Sequence, residues 1–207
     1  MTAREEILAA VRAAADGAPR PAPADEPTPA TSPDRAEMLD RFVERVEDYR
    51  ARVIRCTPPE LTAQALFALG EAERVLLPEG LPEAVVTAVT DRLGPASVSI
   101  GDLPDGELEA FDAVVTTSAA AIAETGTVVL DHASGQGRRA LSLLPDRHVC
   151  IVRTDQVVAD VPQVMRRLDP LRPQTWISGP SATSDIELQR VEGVHGPRTL
   201  TVVLAGN

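Results

Sequence analysis

In 207 residues the chain carries 31 acidic side chains against 20 basic ones, a net charge of −11 that repels phosphate backbones and argues against nucleic acid or an anionic membrane as the main partner. Every basic residue is arginine, which excludes Schiff-base, pyridoxal-phosphate-lysine and Walker-lysine chemistry. The length suits one domain that buries about 70% of the unfolded chain's surface.

Cys56 and Cys150 stand alone in apolar runs with no zinc- or cluster-ligand spacing, so no metal and no redox centre is expected on this chain. The first segment offers neither a secretory leader nor a membrane span, and a cytoplasmic location is expected.

Residues 2–15 read as a short amphipathic helix. Ile7, Leu8, Val11 and Ala15 share one face, and Thr2 with Glu5 has the spacing of a capping box. Six prolines among small polar residues make 17–33 a linker, so the expected organisation is a helix at 1–16, a linker at 17–33 and an α/β domain at 34–207. Ser32 and Pro33 then read as the cap and first residue of a longer helix with Leu39, Phe42, Val43, Val46 and Tyr49 on its buried face.

Beyond it, strand-like runs at 52–56, 74–77, 97–100, 111–116, 127–130, 148–152, 175–177 and 199–204 alternate with helical segments at 58–69, 82–93, 138–144, 160–168 and 183–190. That alternation indicates a largely parallel sheet flanked by helices. Ligands in such sheets bind beyond the carboxyl ends of the strands, which directs attention to the loops after Thr116, Leu130, Val152 and Ile177.

One of these loops is Ser178-Gly179-Pro180-Ser181-Ala182-Thr183-Ser184-Asp185, followed by His195 between two glycines. Gly179 would let the backbone approach a ligand, and the hydroxyls of Ser178, Ser181, Thr183 and Ser184 suit a carboxylate or phosphate. Asp185 and His195 supply an acid and a base; the plainer reading is a capped helix and a hydrogen-bonded turn. A second group, Glu124-Thr125-Gly126-Thr127, places a carboxylate where it would serve as base or nucleophile, or merely bond its own turn. Between the two lies Gly135-Gln136-Gly137-Arg138-Arg139-Ala140, a literal GxGxxA. Its helix is cut short at Pro145 and it lies mid-sheet, so Arg138 and Arg139 are read as charge for an anion rather than as part of a dinucleotide fingerprint. His132 carries little information, and His148, at a strand start, reads as structural.

Together, Ala123–Thr127, Gly137–Pro145, Ser178–Ser181, Asp185–Glu187 and Gly193–Pro197, in this order, resemble the lactate-utilisation protein C family of the LUD-domain group. The resemblance covers most of the chain and is strongest from about residue 110 onward. It implies a three-layer α/β/α sandwich related to ribose-5-phosphate isomerase and the coenzyme A transferases. It further implies a role in bacterial oxidation of L-lactate to pyruvate beside iron–sulfur partner proteins, which would hold the clusters this chain lacks. The alternative is a stand-alone acyl or coenzyme A transferase with Glu124 as nucleophile, by analogy with fold relatives.

Overall fold

The computed structural model describes residues 2–16, 34–183, 191, 192 and 196–206. The chain divides into a unit at Met1–Ser32 and a larger one at Pro33–Asn207. In the first, α1 (Ala3–Ala15) carries the expected capping box: the Thr2 N–H donates to Glu5 Oε2 at 2.7 Å, and the Glu5 N–H donates to Thr2 Oγ1 at 3.4 Å. None of its residues is buried.

The larger unit begins with α2 (Arg35–Asp48), whose first helical residue follows Asp34; Ser32 and Pro33 lie outside the described residues. In chain order there follow β1 (Arg52–Cys56), α3 (Leu61–Leu69), β2 (Val75–Leu77), α4 (Glu83–Leu93), β3 (Val98–Ile100), α5 (Asp105–Leu108) and β4 (Ala113–Thr117). Next come β5 (Ala120–Ile122), β6 (Thr127–Leu130), α6 (Arg139–Leu143), β7 (Arg147–Arg153), β8 (Val157–Val158) and α7 (Val161–Arg167). The chain finishes with β9 (Thr175–Ile177), β10 (Ala182–Thr183), β11 (Val191–Glu192) and β12 (Thr199–Ala205).

Six strands form a wholly parallel sheet in the order β1-β12-β7-β4-β2-β3. Its central strands are apolar on both sides, as burial on two faces demands. Val75, Leu77, Val115, Val149, Ile151 and Val203 pack beneath α3 and α4, whereas Cys150, Val152, Val202 and Leu204 pack against Phe42 and Val46 of α2. Leu141 of α6 and Leu108 of α5 cover Leu76 and Val114. The result is a helix–sheet–helix sandwich.

Two of the expected strands leave the parallel sheet. β6 and β9 join β5 and β8 in a second, four-stranded sheet in which the β5–β6 and β6–β9 pairs are antiparallel. This sheet is layered between the main sheet and α7, with Ala121 and Val128 facing the α2 side and Ala120, Ile122 and Val129 facing Val164 and Leu168. β5 is not among the strand runs expected from sequence, because alanine has little preference for strands. The layering explains it: all three β5 residues are buried, with methyl groups facing both neighbouring layers. The helix expected from residue 183 does not start there, since Thr183 lies in β10 and pairs with Val191; residues 184–190 lie outside the described residues.

Candidate functional site

Two glycines bring the separated motifs together. Gly126, in the turn between β5 and β6, has φ +60°, and a Cβ there would stand 2.6 Å from the backbone carbon of Arg45. Gly179, just past β9, has φ +88°, and its Cβ would stand 2.7 Å from that of Tyr49. Both therefore seat their loops on the last turn of α2, a close approach that any side chain would block. Gly179 serves this packing and also lines the pocket described below.

Because the two loops share that seat, and because β6 pairs with β9, their hydroxyls form a row. Thr125 Oγ1 and Thr127 Oγ1 are 2.7 Å apart, and Thr127 Oγ1 lies 2.7 Å from Ser178 Oγ. The row ends at a pocket of about 280 Å³. Ser178, Gly179, Pro180 and Ser181 form one wall, with Gly196 and Pro197 beside them; the Ser181 N–H donates to Pro197 O at 2.8 Å. Arg139 and Ser142 come from α6, and His148 and Leu200 from the starts of β7 and β12.

The pocket therefore opens near the amino ends of the central strands. The loop after Ile177 leads there because β9 belongs to the antiparallel sheet. The loop after Leu130 instead runs across the carboxyl ends of β2 and β4, where Gly135 donates to Glu79 O at 2.7 Å and accepts from the Thr117 N–H at 2.7 Å. The crevice at those carboxyl ends is lined by Thr117, Ser118, Gln136, Arg153 and Gln156, and its polar groups are largely spent on one another. Gln156 Nε2 donates to Ser118 O at 2.6 Å, Gln136 Oε1 accepts from the Asp131 N–H at 2.7 Å, and Arg153 pairs with Asp155.

Electrostatics distinguishes the Arg139 pocket. In a chain of net charge −11, no carboxylate among the described residues lines it, and Arg139 is the one formally charged residue among them that does. The neighbouring Arg138 is committed elsewhere: it pairs with Asp102 at 2.6 Å and Asp105 at 2.5 Å, and these two carboxylates hold its guanidinium above its ordinary pKa. Two adjacent arginines thus divide the work, Arg138 clamping α5 and Arg139 facing the pocket.

At the pocket floor His148 is 1% exposed, and burial pushes its pKa down to about 4, so the imidazole is neutral. Its Nε2 lies 2.8 Å from Thr116 Oγ1, which donates to Cys150 Sγ at 3.6 Å; the thiol in turn points to Thr117 O at 3.8 Å. Burial raises the Cys150 thiol to about 12, so it is no nucleophile. In sequence His148 reads as structural; its place in the pocket comes from the pairing of β4 with β7, which no local pattern encodes.

Glu124 sits in the β5–β6 turn with its side chain exposed, and it lines none of the described pockets. Open solvent is the opposite of what a carboxylate nucleophile needs. Ser184, Asp185 and His195 lie outside the described residues, and Thr183 is placed only as part of β10. Among the described residues no three His, Cys, Asp or Glu side chains gather to hold a metal, and no helix is long and apolar enough to cross a membrane.

Comparison with known proteins agrees with this architecture. The LUD domain model matches residues 105–205, the stretch that builds the row of hydroxyls and the pocket. A lactate utilization protein C of Deinococcus radiodurans is 46% identical over 210 residues, covering 99% of this chain and 96% of that protein. The chain belongs to the lactate-utilisation protein C family. A more distant relative of the same name from Shouchella clausii is 37% identical over 49% of each chain. A crystal structure of a DUF162 family protein from Deinococcus radiodurans superposes with a TM-score of 0.69 at 41% identity, covering 84% of this chain and 99% of that one. The sandwich and its largely parallel sheet are thus those of the family.

Proposed function

We propose that this protein serves bacterial L-lactate utilisation in the cytoplasm as a subunit without a redox centre of its own, binding the hydroxy acid while iron–sulfur partner proteins carry the electrons. The observation that carries this reading is the near full-length similarity to a protein named lactate utilization protein C. The pocket chemistry supports it. A carboxylate would pair with Arg139, the lone charge in the described lining, in the bidentate geometry that guanidinium favours. Ser178 and the neutral imidazole of His148 suit an α-hydroxyl, and Leu143, Ile177 and Leu200 give a methyl group an apolar wall. No proton or electron transfer is required of this chain; its part is to hold and orient the acid.

The test is affinity purification of the chain from cells grown on L-lactate, with a lactate-oxidation assay of the eluate. Co-purifying iron–sulfur proteins with activity support the subunit reading. A solitary protein that forms a hydroxylamine-sensitive acyl adduct on Glu124 from an acyl-coenzyme A overturns it in favour of a transferase.

A further inference from the structure

The amino ends of β1, β12 and β7 enclose a second cleft, of about 270 Å³, on the α3 side of the main sheet. We propose that it binds a small molecule carrying a phosphate monoester, at a site that adjoins the Arg139 pocket through Pro180 and Leu200 but is built on different charged residues and does not rest on the lactate reading. Arg50, Arg52, Arg147 and Arg198 line it, and among the described residues of this acid-rich chain no acidic side chain does. Arg198 is held by Asp146 at 2.5 and 2.9 Å, and Arg50 has interactions of its own. Arg52 and Arg147 are the two not ion-paired to a carboxylate among the described residues, and Arg147 also borders a neighbouring cleft lined by Glu71, Glu73, Asp112 and Asp146.

Strand register aims these two at one place. Arg52 pairs with Thr201 of β12 and Arg147 with Thr199, so all four residues project from the same sheet face. Two strand spacings and a two-residue offset put the Arg52 and Arg147 Cα atoms about 12 Å apart, within the combined reach of two arginine side chains. Between them stands Thr201, 2% exposed, whose hydroxyl makes no hydrogen bond to any described residue although it lines the cleft. Two guanidiniums and a waiting hydroxyl match the charge and the several acceptor oxygens of a phosphate monoester.

The remaining walls suit the organic part of such a ligand. Phe67 is 58% exposed and braces Arg52, whose guanidinium carbon lies 4.9 Å from the ring centroid. Gly70, with φ +57°, closes α3 beside the Arg147 guanidinium, which lies 3.7 Å from where its Cβ would stand. The concave shape fits a small molecule better than an extended acidic peptide, which the test treats as the competing outcome.

The experiment is calorimetric titration of the full chain with phenyl phosphate, inorganic phosphate, sulfate and polyglutamate at constant ionic strength. Phenyl phosphate should bind with a dissociation constant of about 1 mM or below, and Arg52→Gln or Arg147→Gln should weaken it about tenfold. Thr201→Val, nearly isosteric and uncharged, should weaken it about threefold; this variant keeps the test decisive if an arginine variant fails to fold. Arg139→Gln should leave phenyl phosphate binding unchanged while weakening L-lactate binding, so the two sites fail separately. Absence of binding, equal binding of sulfate, or tighter binding of polyglutamate than of phenyl phosphate would overturn the proposal.

Discussion

Acidifying the protein through the range where His148 would take up a proton tests the buried network directly. The imidazole's pKa falls from an ordinary 6.5 to about 4 because the ring is wholly buried. The unfolded chain therefore takes up that proton first, and stability is unaffected above pH 6.5 and declines as pH falls from 6.5 toward 4. At about 1.4 kcal/mol per pH unit the gap amounts to about 3 kcal/mol, or a loss of roughly 6–12 °C in melting temperature for a domain of this size. Exposed carboxylates also titrate in this range, so the informative quantity is the difference between wild type and His148→Gln, measured by urea unfolding at closely spaced pH values between 7.5 and 4.5. The variant starts less stable at neutral pH, and it should fall less steeply on acidification by about 2.5 kcal/mol across the window. Parallel curves for the two proteins would show that His148 keeps an ordinary pKa in the folded protein and would refute the burial of a neutral imidazole at this position.

Gly126→Ala and Gly179→Ala should each destabilise the fold by about 2 kcal/mol or more in chemical denaturation, because positive φ is combined with a Cβ driven into the backbone or side chain of α2's last turn. Removal of the Phe42 side chain, 0% exposed at the centre of α2's buried face, should cost about 3–5 kcal/mol as Phe42→Ala. Cys150, pushed up to about 12, should resist a thiol reagent at pH 8 in the native protein and react at once in denaturant. Arg139→Gln should weaken L-lactate binding about tenfold in calorimetry with an unchanged melting temperature, whereas Arg138→Gln should lower the melting temperature with no effect on lactate binding.

Much of this protein is legible from local pattern. The capping box of α1, the apolar stripe of α2 and the strand runs of the parallel sheet each depend on neighbours in sequence, and they stand where periodicity put them. Composition by itself rules out lysine chemistry, and the order of the short motifs points to the family. What only the tertiary structure decided is what lies next to what. The alanines of β5 form a strand because two packed layers enclose them, against their own preference. The hydroxyls of Thr125, Thr127 and Ser178 meet because two distant glycines fit against one turn of α2. Arg138 and Arg139 are adjacent in sequence and alike in chemistry, yet one is bound by Asp102 and Asp105 and the other lines a pocket. His148, to all local appearance a strand residue, lies on the pocket floor. A sequence pattern reports which side of an element is apolar, whereas a site is made by side chains from separate elements, whose meeting is fixed by strand register and by the close approaches that packing allows.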